Sequence, residues 1–184
     1  MQYYEKETFS FFTLMLFLMS MSTIGVAPVV ACVWNGSVQS SGEEVVSPIL
    51  EYGKPHVIEV AGMFMYDNPG NLAADAQYYA IDSHNFSDCY TTDTPNSSDW
   101  RNHFPAGGHS FLQINNEDVD WGPFSNGKDG HTYSIYYTGE GAPISFRILD
   151  WIDNDYSNNR CHLSVRIDED VRTRIPLMTL ILWD

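Results

Sequence analysis

Short runs in which apolar and polar residues alternate, set between turn-forming residues, put the tightest limit on what this chain can fold into. Ile144, Phe146 and Ile148 alternate with Ser145 and Arg147. Leu163, Val165 and Ile167 alternate with Ser164 and Arg166, and Phe111-Leu112 lead into Gln113-Ile114. A period of two places one set on the buried face of a strand and the other in water. Val57 to Ala61 and Tyr133 to Thr138 read as further strands. Asp67-Asn68-Pro69-Gly70, Ser125-Asn126-Gly127 and Gly139-Glu140-Gly141-Ala142-Pro143 punctuate them as turns. Many short strands without a ten-residue helical pattern predict an all-β sandwich or barrel. The stretch from Gly70 to Gly108 is rich in Ser, Thr, Asn and Asp and is expected as a long loop, either a binding loop or an insertion.

The apolar content outside these runs is concentrated at the N-terminus, where Thr8 to Gly42 carry no charged side chain. Phe9 to Ala31 reads as an export signal or a membrane anchor. Val29 and Ala31 fit cleavage after Ala31, while Val29-Val30-Ala31-Cys32 also resembles a lipobox that would place a lipid on Cys32. The run is also long enough to span a bilayer uncleaved. The expected organisation is a signal peptide or anchor over 1–31, a β domain over 32–175 and an apolar tail over 176–184. Each alternative places the domain outside the cytosol, secreted or at the cell surface.

An oxidising compartment allows disulfides, and with Cys32 at the start of the domain the remaining Cys89 and Cys161 form the natural pair. Asn35, Asn85 and Asn96 each begin an N-x-Ser sequon. The chain has nine Lys and Arg against 24 Asp and Glu, a formal charge of -15. That balance excludes the basic face a nucleic-acid partner requires, and it disfavours anionic membrane surfaces. Membrane contact is expected only through the N-terminal segment or a lipidated Cys32.

Asp150-Trp151-Ile152-Asp153-Asn154-Asp155-Tyr156-Ser157-Asn158-Asn159 joins two of the clearest strands. Crowded carboxylate and amide oxygens suit a hard cation such as calcium, which takes six to eight oxygen ligands. The same composition also suits an Asx-rich turn bonded only to its own backbone. An EF-hand is excluded, because Asn158 stands where its glycine is required, Ser164 where its glutamate is, and strands flank the loop. The six histidines have no zinc-ligand spacing.

Two blocks of sequence resemble the PA-IL-type lectins, calcium-dependent galactose-binding proteins. The first is Trp34-x-Gly36-x-Val38, Val46-x-x-Ile49, Gly53 and Val57-Ile58-x-Val60-Ala61-Gly62-x-x-x-Tyr66; the second is Asp155-Tyr156-x-Asn158-Asn159 followed by Leu163-x-Val165-x-Ile167. The resemblance implies a jelly-roll-like β-sandwich of two antiparallel sheets. It also implies Ca2+ held by the Tyr66 and Asp155 backbone carbonyls, by Asn158 and Asn159, and by an aspartate before the loop. That aspartate is Asp150 if one residue is inserted, with Asp153 as the alternative. The side chain of Asp155 is a further candidate ligand. In the lectins the metal also binds two sugar hydroxyls, which implies a ligand role for Asn158. His103 falls in the region of the sugar-binding loop, although the lectins' His-Pro-x-Gln string is absent.

The function expected is an exported carbohydrate-binding domain whose partner is a glycoconjugate, with Trp121, Trp151 or Tyr156 stacking on a sugar ring. The alternative is an adhesion or assembly domain with a structural calcium, binding another cell-surface protein or forming a homo-oligomer. No nucleophile elbow, metalloprotease helix or phosphate loop is present, so no enzyme is expected. Asp118 and Asp120, on one face of an expected strand, are the carboxylate pair a glycosidase would use.

Overall fold

A computed structural model describes residues 31–67, 72–80, 100–102, 104, 108–124, 131–152 and 155–171. The described residues form twelve strands: β1 (Ala31–Gln39), β2 (Val45–Val46), β3 (Pro55–Ala61), β4 (Phe64–Asp67), β5 (Leu72–Ala74), β6 (Tyr78–Ala80), β7 (Trp100–Asn102), β8 (Leu112–Ile114), β9 (Glu117–Asp118), β10 (Thr132–Thr138), β11 (Ser145–Ile148) and β12 (Arg160–Glu169). They contain no α-helix. One sheet runs β10-β3-β12-β4-β5-β6-β7, with β1 on the other flank of β12, and a second runs β2-β11-β8-β9. All of the strand pairs are antiparallel.

The alternation read from the sequence sets which face is buried. In β3 His56, Ile58 and Val60 are buried while their neighbours are half-exposed, and in β12 Leu163, Val165 and Ile167 are buried. These side chains share one core with Phe146 and Ile148 of β11 and with Leu112 and Ile114 of β8, so the two curled sheets close over each other. The Trp34 ring stacks on Phe146 with centroids 5.6 Å apart and planes within 10°. Asn115 and Asn116 both have positive φ, at 52° and 64°. Paired left-handed residues between Ile114 and Glu117 are what a two-residue hairpin with right-twisted strands requires.

The Gly70–Gly108 stretch departs from the expected loop, because β5, β6 and β7 lie within it and extend the first sheet beyond β4. Each has three residues, too few to display a period of two, and Ala73, Ala74 and Ala80 are weak strand formers. Asp118 ends β9, and Asp120 lies beyond it, so the two are not on one strand. Residues 1–30, the tail over 176–184, Cys89, His103, Asp153 and the sequons at Asn85 and Asn96 lie outside the described residues.

His56 ties this packing to pH. It is 3% exposed, and both ring nitrogens are buried without a hydrogen-bond partner. Burial lowers its pKa, with the Glu169 carboxylate pulling the other way. Because the folded value lies below the unfolded one, the unfolded chain binds more protons between them, and stability falls as pH drops below about 6.5. His56→Leu should remove this slope and raise the melting temperature at pH 5.5 relative to wild type. Thermal melts from pH 7.5 to 5 test it, and parallel wild-type and variant curves would refute it.

Candidate metal site

The loop between β11 and β12 lies at the end of the sandwich where β12 pairs with β4. Arg160 faces Met65 and Cys161 faces Phe64. Continuing that register by one residue sets Asn159 opposite Tyr66. Tyr66 is the extra residue of a bulge, since Met65 pairs with Ala73 but Asp67 pairs with Leu72. A bulge takes its residue out of the regular ladder, which leaves the backbone there able to serve something other than the neighbouring strand. The Tyr66 ring is buried, donates from its hydroxyl to the Ala80 carbonyl at 3.0 Å and lies beside Phe111 and Tyr79.

Within the loop, Asp150 N–H donates to the Tyr156 hydroxyl at 3.2 Å, joining its two limbs. The Tyr156 ring occupies the place a side chain at residue 42 would need: a Cβ on Gly42 would lie 2.8 Å from it, and Gly42 has φ +78°. Only glycine meets both conditions without strain. Asp150 is fully buried, and Oδ2 of Asp150, Oδ1 of Asn158 and Oδ1 of Asn159 are all buried oxygens. Asn159 Nδ2 donates to the Ser40 carbonyl at 2.9 Å, which fixes the amide plane, and its Oδ1 has no hydrogen-bond partner. A buried amide oxygen left without a donor is costly, and a cation relieves that cost.

The loop offers one carboxylate and two amide oxygens that are buried, and Tyr66 lies on the neighbouring strand β4. That is hard-oxygen chemistry, and it fits calcium better than zinc. Among the described residues no group of three or more His, Cys, Asp or Glu gathers as a metal site; the loop's set is made largely of amides.

Other expected residues take different places. The Asp155 carboxylate does not turn into the loop: Oδ1 accepts from Ser157 N at 3.0 Å and from Ser157 Oγ at 2.6 Å, as an exposed Asx turn. Its backbone carbonyl accepts from Asn158 N at a long 3.4 Å. Trp121 is 3% exposed and donates from Nε1 to the Leu112 carbonyl, so it cannot stack on a ligand. Trp151 packs its half-buried ring against Phe111, at 5.4 Å, and Tyr79, at 5.9 Å. Cys32 is free and exposed in β1.

Asp118 and Asp120 are held in structural bonds instead of facing a common cleft. Asp118 accepts from Gln113 at 3.0 Å and sits 2.7 Å from the His109 ring. Burial pushes its carboxyl up, but the bonds from Gln113 and His109 outweigh that and hold it below its ordinary value. Its stabilising share is therefore lost only as pH falls below about 4, well separated from the His56 range. Asp120 Oδ1 caps Gly122 N at 3.0 Å and takes a bond from Gln77 Nε2 at 3.3 Å.

The polar residue that composition did not single out is Asp75, in the turn between β5 and β6. Its Oδ1 accepts from Gln77 N at 2.8 Å and Tyr78 N at 2.7 Å; its Oδ2 accepts from the Tyr133 hydroxyl at 2.6 Å and lies 2.8 Å from His131 Nδ1. His131 and Tyr133 are distant in sequence, so no local spacing announces the cluster. Scans against protein-family models and searches of curated proteins and of solved structures find no match to this chain.

Proposed function

We propose that this is an exported, calcium-dependent carbohydrate-binding domain in which the metal bridges the protein to sugar hydroxyls, on a jelly-roll-like sandwich of the PA-IL lectin type. The observation that carries the reading is the buried Asn159 Oδ1 without a hydrogen-bond partner, in one loop with the buried oxygens of Asp150 and Asn158. Asp150 supplies the charge, Asn158 and Asn159 supply neutral oxygens, and the Tyr66 and Asp155 carbonyls complete the protein's share of the ligands. Cys89 is the proposed partner of Cys161. His103 is proposed to contact the sugar, and the ligand is a glycoconjugate outside the cell.

Asn158→Ala should abolish stabilisation by calcium. For the wild type, calcium at a hundred times its Kd adds about 2.7 kcal/mol, or about 5–10 °C in melting temperature for a domain of this size. A wild-type melt identical in calcium and in chelator would remove the metal site from consideration.

A second reading, an adhesion domain with a purely structural calcium, is favoured by one observation. Trp121 and Trp151 pack into the core, and the Tyr156 ring is set against Gly42, so the aromatic platform common in sugar sites is not supplied by these three. Calcium titrations with and without galactose and other monosaccharides separate the two. A bridging metal requires calcium and sugar to raise each other's affinity by the same factor, whereas a structural metal leaves the two independent.

A further inference from the structure

The outer face of the first sheet carries a second polar site, further along β12 than the loop. Burial of Ile58 and Val60 in β3 and of Leu163, Val165 and Ile167 in β12 turns their neighbours outward. The register then sets Ser134, Glu59, Arg166 and Asn35 in one row across β10, β3, β12 and β1. The next row holds Ser164 and Ala61, whose short side chains leave a hollow, a cavity of about 300 Å³ that Asn35, Glu59 and Arg166 help to wall. Arg166 directly opposes Glu59, but its Nε donates to Asp168 Oδ1 at 2.9 Å. On the other side of that row, on the edge strand β10, Tyr136 stands diagonal to Glu59 and is 72% exposed. A polar outer face is ordinary for an antiparallel sheet. A hollow on it, with an uncovered aromatic in line, is not.

We infer that this face binds a neutral oligosaccharide without a metal, the ligand lying diagonally from Tyr136 across Glu59 and Arg166 into the hollow. The inference goes beyond the calcium reading, since it uses another face and other residues. Carboxylate, guanidinium and amide are planar groups that each present more than one hydrogen-bonding atom, which suits neighbouring hydroxyls on a sugar ring. The Tyr136 ring offers a flat apolar surface to the C–H face of a sugar, the platform that Trp121, Trp151 and Tyr156 do not supply. Arg166, the cation of the cavity, is balanced by Glu59 and Asp168, so an anionic glycan gains nothing there on a chain of charge -15. From Tyr136 to Ser164 the face runs two strand spacings across and four residues along, about 16 Å. One sugar ring cannot span that path, and a short chain of them can.

The experiment is calorimetric titration of the full chain in excess chelator, with hexaoses of glucose, mannose and galactose as probes and the matching monosaccharides beside them. The protein is made in a host without N-glycosylation, so that the sequon at Asn35 stays unmodified. A hexaose should bind, and its monosaccharide should bind at least about tenfold more weakly. Tyr136→Ala removes the platform and Ser164→Leu fills the hollow. Both positions are exposed, so each variant should keep the wild-type melting temperature and lose about tenfold or more in affinity, as the loss of an anchoring contact does. Asn158→Ala should bind the hexaose as wild type does. No hexaose binding in chelator, or an affinity that neither Tyr136→Ala nor Ser164→Leu reduces, would overturn the inference and leave the calcium reading to its own melts. Binding that Asn158→Ala abolishes would assign the sugar to the loop and overturn it as well.

Discussion

Asp75→Ala should lower the unfolding free energy by about 3–5 kcal/mol, the cost of taking one partner out of a buried charged network. The carboxylate is fully buried and serves four donors: two backbone N–H groups of its own turn, the Tyr133 hydroxyl and the His131 ring. Alanine takes this acceptor away from all four in a place water does not reach. The damage spreads, because the same turn joins the two sheets. Its Ala76 carbonyl accepts from Phe111 N and Leu112 N at 3.0 and 2.9 Å, and the Gln77 side chain accepts from Trp121 N. A loss of this size is a large share of the 5–15 kcal/mol that holds a typical domain. Asp75→Asn should cost less, since one oxygen still caps the turn while its NH2 group meets Tyr133 and His131. Urea unfolding monitored by tryptophan fluorescence gives both values. An alanine variant within about 1 kcal/mol of wild type would show that the network is dispensable.

Where the sequence spoke clearly, one physical signal was repeated several times. β11 and β12 each alternate over four or more residues, and the burial of Phe146, Ile148, Leu163, Val165 and Ile167 follows that alternation. β5, β6 and β7 were illegible because three residues cannot show a period and because alanine has no strong preference for strand. Asp75 was illegible for a different reason: its partners His131 and Tyr133 lie 56 and 58 residues away, and only the fold brings them near. Ser40 is hidden in the same way, 119 residues from the asparagine it holds. The oxygen-rich loop was visible as composition, but composition could not sort its members. The structure does so by burial: Asp155 is exposed and caps Ser157, while Asp150 is fully buried. Tyr66 came from the family resemblance alone, since a bulge at residue 66 leaves no mark on the pattern of side chains.

Asp150→Asn should have the opposite sign from Asp75→Asn when calcium is withheld, although both aspartates are fully buried. The difference lies in what surrounds each. Asp75 is set among donors that a negative charge satisfies. Asp150 Oδ1 accepts from Ile152 N at 3.3 Å, and the carboxylate shares its loop with the buried acceptor oxygens of Asn158 and Asn159. A buried carboxylate in such company is costly until a cation arrives, so a neutral amide of the same shape should leave the melting temperature in chelator unchanged or higher. In calcium the order reverses, because affinity for this ion follows the charge of its ligands. If loss of the charge weakens binding a hundredfold, calcium at a hundred times the wild-type Kd adds about 2.7 kcal/mol to the wild type and about 0.4 kcal/mol to the variant. Paired melts in calcium and in chelator read both effects on one sample. An equal calcium increment in the two proteins would exclude Asp150 as the anionic ligand and transfer that role to Asp153, on which the same pair of melts can then be run.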